Sequence, residues 1–333
     1  LIADLKDEVI TESWDTDNDF NNIGYTCGRF APTQLLTVSY YDTYDFVALT
    51  NTQLAYDNSK ESEYGIRYSS AKSLLTGSRT YLLDNSGNYT AAAMYYDYRG
   101  RVIQTRATNH LNGYEISDSA LNFSGNPVKV LKTHSINGTT SSVTELYTYT
   151  YDHAQRPLTT SLSLNNATAV VIASNAYDEL GRLTRKDCHN ATKPTFYTYN
   201  IQNWLTSIVS PDLEEYLYYQ DAPGNAMYNG NIAISTYQNS SRRRPIRGYI
   251  YTYDELNRLK QATSGERTML HAEQHKQDEV FEYDKMGNIT FLKRYREYGL
   301  TDDLELKYNG NQLSSVIDAA GAHNVYSIKE YQH

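Results

Sequence analysis

"YDELGRL" (Tyr177–Leu183) and "YDELNRL" (Tyr253–Leu259) are one heptad written twice, with Gly181 exchanged for Asn257. Gly and Asn both tolerate a positive φ, so the exchange points to a tight turn. The Asp after each Tyr can hydrogen-bond the backbone two residues on and start that turn. The heptad therefore reads as the opening of a β-hairpin.

The same pattern recurs as "YDYRGRV" from Tyr96, "YDHAQRPL" from Tyr151, "YNIQNWL" from Tyr199 and "YDKMGNI" from Tyr283. Shortened forms fill the gaps: "FSGNPV" from Phe123, "YNGNI" from Tyr228 and "YNGNQL" from Tyr308. The nine starts, 96, 123, 151, 177, 199, 228, 253, 283 and 308, lie 22 to 30 residues apart. Self-similarity at such a period is the mark of a repeat architecture. Upstream, "YDTYDF" from Tyr41 and a weaker "YSSAKSL" from Tyr68 keep the spacing. The expected organisation is an N-terminal β-rich region over 1–95, with degenerate repeats from about 41, and a repeat array over 96–333.

The strands entering the turns alternate, as in "YTYTY" (Tyr147–Tyr151) and "FYTYN" (Phe196–Asn200), which puts rings on one face and Thr on the other. Four residues after the aromatic stand Gly100, Gln155, Gly181, Asn203, Asn257 and Gly287. Gln155 is the exception, and with Pro157 following, a different turn type is expected there. Helix signals are confined to "LIADLKDEVI" and "TMLHAEQHKQ".

Nine hairpins make about eighteen strands, which at ~4.8 Å each would span roughly 86 Å. An open sheet beyond about ten strands normally curls, splits or closes. The expected fold is therefore all-β: tandem hairpins in a long curved or spiralling antiparallel sheet, a partial shell.

Composition agrees. The 333 residues include 33 Tyr against 7 Phe and 2 Trp, and Tyr favours strands while keeping a hydroxyl that needs a partner. A net charge of -9 argues against nucleic acid. "SRRRPIR", with Arg242, Arg243, Arg244 and Arg247, is a local exception that reads as a solvated loop. No stretch approaches the ~18 apolar residues of a membrane span. Cys27 and Cys188 stand far apart, as two free thiols or one long-range disulfide. The absence of an initial Met leads us to expect a piece of a longer polypeptide.

The repeated Y-D-x-x-G-R-L resembles the YD repeats of the RHS family, related to those of teneurins and of the cocoon-forming components of insecticidal toxin complexes. "YNGNI", "YNGNQL", "TGSRT" and "YYDYRGRVIQT" resemble the RHS proteins of Bacteroides-type bacteria. The resemblance covers about residues 90 to 315. It implies a β-shell wall that can enclose a C-terminal toxin or effector in the remainder of the same polypeptide. The family's self-cleaving core and variable tip have no counterpart here, so an open wall is expected, on a bacterial surface or secreted.

Sites for chemistry are weak. "HAEQH" sets His271 and His275 four apart, but Ala272 stands where a zincin has Glu, and the segment reads as a polar loop or short helix. "DTDNDF" (Asp15–Phe20) has the alternating acids of a calcium loop, yet Phe20 replaces its Gly and Thr26 its Glu. The repeated Asp invites a glycosidase reading, but an acid that recurs with the turn register has a structural duty in every copy. The expectation is a non-enzymatic structural and interaction segment with no catalytic residue, metal or cofactor. A module binding surface glycans through Tyr rings is the alternative, and a glycoside hydrolase a more distant one.

Overall fold

The computed structural model describes residues 14, 23–25, 35–84, 87–136, 142–190, 192–239, 246–266, 277–296, 299–320 and 330–332. Apart from Gln277, both helix candidates lie outside the described residues. The chain divides into two compact units, Leu1–Asn175 with Cys188–Asn190, and Ala176–Asp187 with Ala191–His333.

The first unit contains β1 (Thr37–Asp42), β2 (Ala71–Tyr81), β3 (Tyr89–Tyr96), β4 (Val102–Thr108), β5 (Tyr114–Leu121), β6 (Pro127–Ser135), β7 (Ser142–Tyr151), β8 (Pro157–Leu164) and β9 (Val170–Tyr177). Each strand pairs antiparallel with the next. The last two residues of β9 fall to the second unit. That unit continues with β10 (Leu183–Cys188), whose last residue belongs to the first unit, β11 (Lys193–Tyr199), β12 (Leu205–Val209), β13 (Leu213–Tyr218), β14 (Ile234–Asn239), β15 (Arg247–Tyr253), β16 (Leu259–Glu266), β17 (Glu279–Tyr283), β18 (Ile289–Arg296), β19 (Gly299–Asn309), β20 (Gln312–Asp318) and β21 (Glu330–Gln332). From β11 to β21 the strands again pair antiparallel in chain order. The all-β array of hairpins is thus observed. Among the described residues no helix is long and apolar enough to cross a membrane.

In a meander, alternate connections lie on opposite edges of the sheet. Every Tyr-Asp turn of a unit therefore falls on one edge and every return connection on the other. The alternation read from "YTYTY" holds: Tyr147, Tyr149 and Tyr151 are half-buried while Thr148 and Thr150 are exposed. The rings of Tyr147 and Tyr149 lie side by side at 6.4 Å, those of Tyr249 and Tyr251 at 6.0 Å. On the opposite face hydroxyls meet across strands, Thr150 with Thr159 at 2.5 Å and Thr198 with Ser207 at 2.7 Å.

The β1 to β2 connection is different. Tyr41 pairs with Leu75, yet the chain between them runs out through α1 (Phe46–Thr50), short 3-10 turns at Thr52–Leu54 and Asn58–Lys60, and α2 (Glu61–Tyr64). Tyr68 ends this strap, its N–H donating to the Tyr96 carbonyl at 2.8 Å, and the chain runs from there into β2 without a hairpin turn. The strap supplies the first unit's core: Phe46, Val47 and Leu54 bury against Val38, Tyr40, Tyr81, Ala91, Ala93 and Tyr95. Phe46 stacks on Tyr40 at 4.3 Å. The Tyr95 hydroxyl donates to the Leu54 carbonyl at 2.6 Å, and burial pushes its pKa up to about 12.

"TGSRT" finds its role beneath this strap. The buried Arg79 donates to the Leu49 carbonyl (3.1 Å) and the Thr50 hydroxyl (2.9 Å), with the Tyr89 ring 4.8 Å from its guanidinium carbon. Gly77 is small because the Phe46 ring needs its space: a Cβ there would lie 2.1 Å from that ring and 2.5 Å from the Ala92 carbonyl oxygen. Gly77→Ala is expected to displace Phe46 and cost about 1–3 kcal/mol, read as a lower denaturation midpoint of the first unit. An unchanged midpoint would show that the strap does not seat on this ring.

Candidate functional site

The repeated element is the turn itself. In the hairpin from Tyr177, the Asp178 N–H donates to the Arg182 carbonyl (3.0 Å) and the Gly181 N–H to the Asp178 carbonyl (2.9 Å). Gly181 has φ 85°. This is a three-residue loop closed by a left-handed residue. One carboxylate oxygen of Asp178 accepts the N–H groups of Leu180 (3.0 Å) and Arg182 (2.9 Å), and the other accepts Arg182 Nε at 2.7 Å. Asp254 repeats the set with Leu256 and Arg258 at 2.9, 2.9 and 2.6 Å. Asp97 with Arg101 and Asp152 with Arg156 do the same in the first unit.

The turn from Tyr151 is therefore not of another type. Gln155 takes φ 63° and donates its N–H to the Asp152 carbonyl at 3.0 Å, as Gly does elsewhere. A left-handed non-glycine residue costs roughly 1–2 kcal/mol. Its side-chain oxygen offsets this by accepting from the amides of Asn122 (2.7 Å) and Asn126 (3.2 Å) in the preceding hairpin.

Within a unit, each turn also grips the next hairpin. The Arg258 guanidinium donates to the Asp284 carbonyl at 2.9 Å and lies 4.6 Å from the centre of the Tyr283 ring. In return the Tyr283 hydroxyl donates to the Leu259 carbonyl at 2.8 Å. Arg182 reaches the Asn200 carbonyl (3.3 Å) with the Tyr199 ring at 5.0 Å, and Tyr199 donates to the Leu183 carbonyl at 2.9 Å. The hydroxyl ladder continues through Tyr219 to Leu205 (2.8 Å), Tyr253 to Ile232 (2.9 Å) and Tyr308 to Ile289 (3.0 Å). In the first unit Tyr151 donates to Pro127 at 2.7 Å and Tyr96 to Leu75. A β-bulge sits beside the clasps of Tyr96, Tyr151, Tyr199, Tyr253, Tyr283 and Tyr308, where the register shifts by one residue just before the Tyr, as between Thr252 and Tyr253, whereas the strand leading to Tyr219 runs without one.

Two copies are misplaced by sequence reading. The turn assigned to Phe123 starts at Leu121, since Asn122 makes the Asp bonds to Gly125 and Asn126. Phe123 is instead an exposed loop residue. The copy assigned to Tyr228 has its ladder tyrosine at Tyr219, followed by a loop expanded to Ile232. Ala222, Ala233 and Ile234 form a small core behind that loop, with Tyr218, Met227 and Ile250 against it. Leu121 lacks the aromatic signal altogether, and "YYQDAP" lacks the turn residue at its usual place.

Environment holds the turn carboxylates ionised. Asp178 and Asp254 have pKa values lowered first by the backbone N–H of Arg182 and Arg258 and then by their guanidinium groups. Asp284 is lowered chiefly by the Asn288 amide. At Asp97 and Asp152 desolvation pushes upward, but the combined hydrogen bonds from Arg101 and Arg156 outweigh it.

The other sequence candidates are not brought to this site. Asp15–Phe20, Cys27, His271, His275 and Arg242–Arg244 lie outside the described residues. Cys188 is exposed at the end of β10, and Arg247 opens β15. Among the described residues no group of three or more His, Cys, Asp or Glu is placed to hold a metal ion.

No protein-family model matches the chain, and no curated protein sequence matches it. Among solved structures it is similar to the crystal structure of TcdB2-TccC3 without hypervariable C-terminal region, at 13% identity and a TM-score of 0.40, over 85% of this chain and 19% of that one. TcdB2-TccC3-TEV gives 11% and 0.38, over 86% and 16%, and TcdB2-TccC3-Cdc42 gives 14% and 0.37, over 72% and 18%. The chain spans less than a fifth of the length of each of these.

Tyr283→Phe removes one clasp hydrogen bond and is expected to lower stability by about 0.5–1.5 kcal/mol, measured by chemical denaturation. No loss would mean that the ring alone carries the contact. The turn carboxylates set an acid limit. Because their folded pKa values lie below the ordinary ~3.9 of Asp, their stabilisation is complete above about pH 4 and drains away as pH falls through the folded values. Denaturation midpoints should be flat from pH 7 to about 5 and fall below about 4, less steeply in Asp254→Asn. A midpoint that stays level to pH 2 contradicts this.

Proposed function

We propose that this chain is a non-catalytic structural segment, a length of YD-repeat β-wall of the RHS type whose task is to enclose or display another part of its polypeptide. The observation that supports the reading is the reuse of the turn side chains. The carboxylate of each Asp in an Asp-Arg turn accepts two backbone N–H groups and a guanidinium, which leaves it little capacity for proton transfer. The Tyr hydroxyls of the ladder are likewise committed to neighbouring carbonyls. Residues that could do chemistry are used to join one hairpin to the next, and a stack of nearest-neighbour contacts can be lengthened without redesign. The repeat resemblance read from Y-D-x-x-G-R-L points the same way.

The test is protease protection in the complete polypeptide that carries this chain. A segment enclosed by the wall should resist digestion until the clasps are weakened by combining Tyr253→Phe, Tyr283→Phe and Arg258→Ala. Segments cleaved equally with intact and weakened clasps would overturn the enclosing role. Glycoside turnover by the purified chain would overturn the non-catalytic one.

A further inference from the structure

Every three-residue loop presents a side chain at its outer tip, where Gly, Asn, Asp and Ser are the ordinary occupants. In the second unit five loops along the Tyr-Asp edge instead carry large apolar residues: Leu180, Leu256 and Met286 three residues after the Tyr, Ile201 two residues after it, and Tyr228 in the expanded loop, between 68% and 91% exposed. The expanded loop keeps Tyr228 in this row, because the Asn229 amide donates to Asn257 at 2.6 Å and Gly230 lies against the Trp204 ring. Neighbouring hairpins are two strands apart, so the tips repeat at a pitch of about 10 Å. Scattered exposed apolar side chains need no explanation, whereas a contiguous set marks an interaction surface.

The charges along the row are arranged end to end. Glu179 precedes Leu180 at one end and Lys285 precedes Met286 at the other, both exposed, while Glu255, also exposed, precedes Leu256 and would face the uncharged Ile201–Gln202 loop of a second copy. We propose that this edge is a self-association surface, on which a second copy of the chain docks with its row antiparallel and the twofold axis beside Tyr228. Leu180 then faces Met286 of the other copy, Ile201 faces Leu256, and Glu179 meets Lys285 at both ends. Three features favour a second copy over other occupants. The two rows share one pitch, so every tip finds a counterpart. An isologous contact requires reciprocal pairs, which the opposite charges at the two ends provide. At roughly 100 Å² for each aliphatic tip and about 150 Å² for Tyr228, the row offers about 550 Å², and the loop residues flanking the tips extend it toward the ~800 Å² per partner of a stable interface. A lipid surface would accept the apolar tips but has no use for the reciprocal charges. The inference does not depend on what the array encloses.

Sedimentation velocity of the whole 333-residue chain over a concentration series tests it. The expected result is a dimer. Glu179→Lys or Lys285→Glu alone sets like charges against each other at both ends and should weaken it by roughly tenfold or more. The double exchange should restore it, which generic stickiness would not do. Tyr228→Ser should weaken it as well, and circular dichroism should show all four variants folded. A chain that stays monomeric, a dimer indifferent to the single exchanges, or a monomer that instead co-sediments with phosphatidylcholine vesicles would each overturn the proposal.

Discussion

The hydrogen bond from a tyrosine hydroxyl to the carbonyl of the preceding hairpin is the contact on which the array depends. Among the described elements of the second unit, each strand packs against its chain neighbours. Where rings lie side by side on one face of such a strand array, as Tyr249 with Tyr251 and Phe281 with Tyr283, a second device is needed to fix each hairpin on the next. Tyrosine supplies both, a ring for the face and a hydroxyl that reaches across the junction. Phenylalanine would keep the ring and lose the lock, a physical reason for 33 Tyr beside 7 Phe.

The first unit shows the contrasting solution. There the strap between β1 and β2 brings Phe46, Val47 and Leu54 onto the sheet and makes a conventional buried core. Its polar backbone is satisfied by Arg79 on one side. On the other, Asp57 is held between Gln104, bonded to its N–H at 2.9 Å, and Arg106, which reaches its carboxylate at 3.2 Å. Aromatic side chains close the remaining space, with Arg67 set among the rings of Tyr44, Tyr56 and Tyr95 at 4.9, 5.4 and 5.6 Å. The strap occupies the slot of a three-residue loop, so one edge of the meander can carry either a minimal turn or a small folded segment.

Much of this was legible from the heptad. Period-2 alternation placed the Tyr face, and Gly181 and Asn257 marked the left-handed corner. What remained hidden was whatever depends on the neighbour. The grip of Arg258 carries no sequence signal, because its acceptor, the Asp284 carbonyl, is a backbone group 26 residues on. Leu121 escaped because the turn needs a backbone register and an Asx side chain, not an aromatic ring. Gln155 misled because local propensity argued against φ 63°, while the compensating amides of Asn122 and Asn126 lie in another hairpin.

The pairing of residues within the turn argues most directly for a structural duty. Asp97, Asp152, Asp178 and Asp254 are each followed four residues later by Arg, and each pair is closed by an ion pair of 2.6 or 2.7 Å. Where the acid becomes Asn, at Asn122 and Asn200, the Arg is replaced by Asn126 and Trp204. Both retain the backbone N–H bond to the Asn side chain, at 3.0 and 2.9 Å, so the turn survives without its charges. Trp204 then keeps the grip on the next hairpin by packing on Tyr219 at 5.1 Å instead of stacking a cation there. Asp284 with Asn288 departs from the charge rule, and there two amide bonds take over, to Asp284 at 2.8 Å and to Asn311 of the following turn at 3.2 Å. A catalytic acid could not be exchanged for an amide in this way, whereas a turn that needs only an acceptor and a neighbour to hold can be rebuilt from several residue pairs.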